Sequence, residues 1–162
     1  MERSKSRCQV LLAVCFVLAL VTKDTAVAAE HSITKSVAPS PVLVLSNSNT
    51  VPGVGFANFN VLAVDIPPGT LVDPKQLLEV RWSTTYYPGT LGEDVQLCYY
   101  RPFSSQENCH TIFPNSSGAL MIFNDQSFDH GAKVTIKHRV LGGARPHARP
   151  AGVDSVIFKY RY

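Results

Sequence analysis

The chain lacks three familiar catalytic motifs. Its 162 residues hold no Gly-x-Ser-x-Gly elbow, no His-Glu-x-x-His pair and no glycine-rich phosphate loop. The motif-borne routes to serine hydrolysis, zinc proteolysis and nucleotide binding are therefore missing. Helical signal is nearly as scarce. One stretch, Asp73-Pro74-Lys75-Gln76-Leu77-Leu78-Glu79, offers a capping Asp and a Pro at the first helical position, and the same residues also read as a turn leading into Leu78–Trp82. Excess charge is lacking too. Residues 1–29 take four of the 15 Lys+Arg and two of the 12 Asp+Glu, leaving 11 basic and 10 acidic residues and a net charge near +1. Nucleic-acid-binding domains carry clustered basic residues, so this balance argues against that class.

Only one long apolar run is present, Val10 to Val21, and its 12 residues fall short of the ~20 a membrane-spanning helix needs. Arg3, Lys5 and Arg7 precede it and Thr25-Ala26-Val27-Ala28-Ala29 follows it, the three-part pattern of a secretory signal cleaved after Ala28 or Ala29. A lipoprotein site at Cys15 fits poorly, because Val14 precedes it and the apolar run continues beyond. The expected organisation is a cleaved signal over 1–29, a flexible polar leader over 30–41 ending at Pro39 and Pro41, and one domain over 42–162. No membrane anchor would remain after cleavage, and the expected location is the periplasm.

Two of the four cysteines leave with the signal, so Cys98 and Cys109 remain as an even pair in an exported chain. A structural disulfide is the natural reading. Zinc would need two further ligands, His110 adjoins Cys109 rather than standing at a ligand spacing, and a redox pair is more often Cys-x-x-Cys.

What the sequence does have is period-two patterning. Eight short candidate strands run over Val42–Leu45, Phe56–Asp65, Leu77–Thr85, Asp94–Arg101, His110–Phe113, Ala119–Phe123, Lys133–Val140 and Ser155–Tyr162. Asn47-Ser48-Asn49, Pro52-Gly53, Pro67-Pro68-Gly69, Pro88-Gly89, Pro114-Asn115 and Gly142-Gly143 separate them with turn chemistry. The expected fold is all-β, a single antiparallel β-sandwich of immunoglobulin-like architecture. Val80, Trp82, Val95, Leu97, Val134, Ile136, Phe158 and Tyr160 are its core candidates.

Among polar residues, His110, His130, His138 and His147 stand 20, 8 and 9 residues apart, which matches no standard metal-ligand spacing. No metal or other cofactor is expected. His138 alternates with core residues and reads as a satisfied strand histidine. Glu93, Asp94, Asp125, Asp129 and Asp154 fall at strand ends and turns, where solvation or Asx-type backbone bonds account for them. Asn115-Ser116-Ser117 has the N-glycosylation pattern. Partner binding is assigned to Arg139, Arg145, His147 and Arg149 around a proline-stiffened loop, and to Lys159 and Arg161 on the closing strand. Charges on that strand would protect it if it lay at a sheet edge.

Leu97-Cys98, the later Cys109, Val140, Gly142-Gly143, Arg145 and the closing Val156-Ile157-Phe158-Lys159-Tyr160-Arg161 resemble the FlhE family of exported flagellar proteins, with Trp82 on a preceding strand. The resemblance runs loosely from Gly55 to the end. It implies a non-enzymatic periplasmic β-sandwich that assists flagellar assembly, by chaperoning exported subunits or limiting proton leakage through the export apparatus. Its partner would be a flagellar rod, hook or export-apparatus protein. This chain departs from the family in a longer inter-cysteine loop, an added segment before Gly55 and the terminal Tyr162. An alternative is a carbohydrate- or envelope-ligand-binding module using Tyr86, Tyr87, Tyr99 and Tyr100 as apolar platforms.

Overall fold

Alternation along the chain translates directly into pleated strands. In the computed structural model, which describes residues 29–44, 51–143 and 146–162, eleven strands follow in order. They are β1 (Glu30–Val37), β2 (Val42–Leu43), β3 (Gly53–Asn60), β4 (Lys75–Ser83), β5 (Glu93–Tyr100), β6 (Glu107–Ile112), β7 (Ser117–Leu120), β8 (Ser127–Phe128), β9 (Lys133–Val140), β10 (His147–Ala148) and β11 (Asp154–Arg161). A single 3-10 turn, Ala63–Asp65, is the only helical element among the described residues. The secretory-signal reading lies outside them, apart from Ala29.

All pairings are antiparallel. One sheet has the order β1-β11-β4-β7, with β8 also on β4; the second runs β3-β9-β5-β6; β2 and β10 form a small pair. On β11, Val156, Phe158 and Tyr160 face inward while Ile157, Lys159 and Arg161 do not. Ala57 and Phe59 of β3, Val95, Leu97 and Tyr99 of β5, and Val134 and Ile136 of β9 supply the facing surface. Both sheets thus share one apolar cluster, and each large side chain buried there contributes about 1.5–3 kcal/mol. All eight core candidates belong to it, Trp82 at its margin. Opposite Trp82 on the edge strand β7 stands Gly118, where a Cβ would lie 2.9 Å from the indole.

The structure corrects several expectations. Residues 30–37 are not a flexible leader: they form β1 and pair with β11 over eight registered positions. Its alternation is mostly polar, with Ile33 the one buried apolar residue, so the strand is held by the backbone ladder. His31 stacked on Tyr162 at 4.6 Å and Lys35 bonded to Asp65 at 2.7 Å add to that hold. With β1 in place, the closing strand is interior rather than an edge. Of the two readings of Asp73–Glu79, the turn leading into a strand is the one observed: β4 begins at Lys75, with Leu77 and Val80 drawn into the core. Phe56–Asp65 ends as a strand at Asn60 and turns at Ala63–Asp65, where the Asp65 carboxylate accepts from the Leu62 N–H at 2.8 Å.

Candidate functional site: an open sheet edge

The polar residues divide into those that are fully enclosed and those left at an edge. The enclosed group is built on His138, completely buried on β9. Its Nε2 lies 2.8 Å from Asp154 at the start of β11, and its Nδ1 meets Glu93 of β5. The same carboxylates accept backbone N–H groups, Asp154 from Thr85 at 2.8 Å and Glu93 from Tyr87 at 3.0 Å. The cluster therefore joins β9 and β5 of one sheet to β11 of the other and holds the segment after β4. Burial disfavours the imidazolium, but the two carboxylates outweigh it and raise the His138 pKa to about 9. Tyr87 packs on the ring at 5.5 Å and donates its hydroxyl to the Ser40 carbonyl at 2.6 Å. Burial and the two nearby carboxylates drive its own pKa up. This crowding explains Gly55, since a Cβ there would sit 2.1 Å from the Tyr87 hydroxyl oxygen.

Glu93 and Asp154 correct the expectation that they sit at solvated turns. The signal was the phase of the pattern. Glu93 falls in step with Val95, Leu97 and Tyr99, and Asp154 with Val156, Phe158 and Tyr160, so both point inward. His138 is the satisfied strand histidine its alternation predicts. His138 and Asp154 are fully buried and the Glu93 side chain is nearly so, so the cluster acts on the fold.

The other candidates are dispersed. Arg139 is exposed on β9, and His147 and Arg149 are exposed at and just after β10. Arg145 lies outside the described residues. Lys159 is tied to Glu79 at 3.1 Å, and Arg161 donates to Gln76 at 2.7 and 3.0 Å, both on β11 in the other sheet from Arg139. The four histidines occupy separate elements, with His130 beside Asp129. Of the tyrosines, Tyr87 and Tyr99 are buried and Lys133 covers the Tyr100 ring at 4.0 Å, which leaves Tyr86 with an exposed face.

The open region is the far side of β6. This strand pairs with β5 alone, and among the described residues no strand pairs with its other edge. Five of its six residues, Glu107 to Thr111, are exposed. The Cys98–Cys109 disulfide crosses the β5–β6 ladder at directly opposed positions with Cα atoms 4.0 Å apart. So close an approach marks a non-hydrogen-bonded pair. The backbone N–H and C=O of Cys109, and by alternation those of Glu107 and Thr111, consequently point away from β5 toward the open edge. The edge strand β7 of the other sheet pairs only with β4 and β6 leads into it through Phe113–Ser116. Exposed apolar side chains flank both edges: Phe113 (72%) after β6, and Met121 (62%) and Ile122 (50%) after β7.

On the outer face of the second sheet, Glu107 accepts from Lys137 Nζ and from the Tyr100 hydroxyl, each at 2.6 Å, beside the disulfide. Those two bonds hold its carboxyl below the usual glutamate range. Glu107, Cys98 and Cys109 are close enough together to resemble a ligand set, but the sulfurs are bonded to each other. Next to this network a cleft of about 270 Å³ is lined by Tyr99, Arg101, Gln106, Glu107, Asn108 and Gln126.

The class defined by these features is an all-β antiparallel domain with one cross-strand disulfide, in which β6 is one of the terminal strands left unpaired on its outer side among the described residues; among those residues, no helix is long and apolar enough to cross a membrane. No protein-family model and no curated protein matches the chain.

Proposed function

We propose that this protein is an exported, non-enzymatic binding domain that holds an extended segment of a partner protein along the β6 edge. The observation that carries this reading is the row of outward main-chain groups at Glu107, Cys109 and Thr111, locked in register by the disulfide. Strand addition needs such a row, since its affinity comes from main-chain hydrogen bonds and its specificity from neighbouring pockets. Natural edges are usually blunted by lysine, proline or a covering loop. β6 carries neither lysine nor proline. The disulfide is in keeping with export, because such bonds persist in oxidising compartments.

The resemblance to the FlhE family extends the proposal to the periplasm and to a flagellar rod, hook or export-apparatus protein as partner, with the protein acting as a chaperone or as a regulator of proton leakage. Thr111→Pro tests the edge directly. Proline is tolerated on an edge strand where the N–H faces outward, so the variant should stay folded while losing capture of flagellar subunits by purified residues 30–162. Undiminished capture would move the site elsewhere, and failure of the wild-type domain to bind any rod or hook subunit would remove the flagellar reading.

A further inference from the structure

The cleft beside β6 has a chemical character that the edge alone does not explain. Two of its lining residues carry charge. Glu107 is already matched by Lys137 at 2.6 Å. Arg101 is not matched: among the described residues it forms no ion pair, and its guanidinium donates only to the neutral Gln106 side chain at 2.8 Å. Three of the remaining lining groups, Gln106, Asn108 and Gln126, are amides with N–H donors that suit an anion, although the Gln126 amide already donates to Asp125 at 3.0 Å. At about 270 Å³ the cleft is slightly below the ~300 Å³ at which small-molecule sites usually begin. It suits one side chain or one chain end. Because Glu107 and Asn108 open β6 and also line the cleft, a segment laid along the β6 edge runs past it.

We infer that the segment bound along β6 carries a carboxylate, an acidic side chain or its own C-terminus, which enters this cleft and pairs with Arg101. This inference rests on the proposed strand addition and names the chemistry of the partner. Arg101 would be its specificity-determining residue, since guanidinium and carboxylate match in shape and charge.

The test is selection of random ten-residue peptides, with free and amidated C-termini, on immobilised residues 30–162. Wild-type protein should enrich peptides with Asp, Glu or a free terminus at one register. Those peptides should bind Arg101→Gln about tenfold more weakly, the scale of one charge-assisted hydrogen bond. Replacing the acidic residue by its amide should weaken wild-type binding equally and leave Arg101→Gln binding unchanged. Selected peptides without acidic preference, or with a preference that survives Arg101→Gln, would overturn the carboxylate inference while leaving strand addition standing if Thr111→Pro abolishes binding. Peptides bound equally well by Thr111→Pro would overturn the edge as the docking surface, and the inference with it. Recovery of no peptide, or dimerisation of the domain through β6, would contradict both.

Discussion

The Glu93–His138–Asp154 cluster and the β6 edge place polar groups under opposite conditions. In the first, three ionisable side chains are enclosed and each has a partner, with backbone N–H groups taking up further carboxylate oxygens. In the second, main-chain donors and acceptors face outward with no paired strand across from them among the described residues. Buried polar groups are tolerable only when satisfied, so the cluster is committed to joining the sheets. The edge groups can be satisfied by water until a better partner arrives. The buried ionisable chemistry is therefore structural here, and the proposed binding draws its main-chain hydrogen bonds from the edge.

The sharpest way to break this contrast is to remove the imidazolium. His138→Ala leaves two enclosed carboxylates without their cation, and a loss of about 3–5 kcal/mol is expected, measured by chemical denaturation. A loss below about 1 kcal/mol would mean the cluster is not the strut described. Next in size is the disulfide. Cys98→Ser with Cys109→Ser should cost about 2–4 kcal/mol and should raise hydrogen exchange in β6 more than in β9 or β11. Uniform exchange across all strands would show that the bond does not specifically hold the edge.

Alkaline titration sharpens the same comparison. The His138 pKa is raised from 6.5 to about 9 on folding. The folded state thus binds its proton more tightly than the unfolded one. The resulting stabilisation is complete below pH 6.5 and is lost as pH rises through about 9. The melting temperature should fall across that window in the wild type, and this component should vanish in His138→Gln. Capture by the edge should not follow the same pH curve. The smallest effect belongs to the basic residues: Arg139→Ala with Arg149→Ala should change stability by less than about 0.5 kcal/mol. Weakened capture in that variant would extend the partner surface beyond β6.

Much of the fold was legible because β5, β9 and β11 alternate apolar and polar residues over long stretches. The disulfide followed from cysteine number and the expected export of the chain. β1 was hidden by its polarity: Glu30, Ser32, Thr34 and Ser36 resemble a loop until β11 is available to pair with them. The cluster was half legible, since His138 stands in phase with core residues, yet Glu93 and Asp154 sit at strand starts where carboxylates normally meet solvent. The open edge could not be read locally. It depends on strand order, a long-range property that places β11 in the middle of one sheet and leaves β6 at the side of the other.

The most direct measurement is site-specific photo-crosslinking in the exporting cell, with a photoreactive amino acid at Thr111 and a control at exposed Val72. The account predicts an adduct to a flagellar rod, hook or export-apparatus component from Thr111 and none from Val72. Adducts from Val72 alone, or none from Thr111 while the protein remains folded and exported, would contradict it.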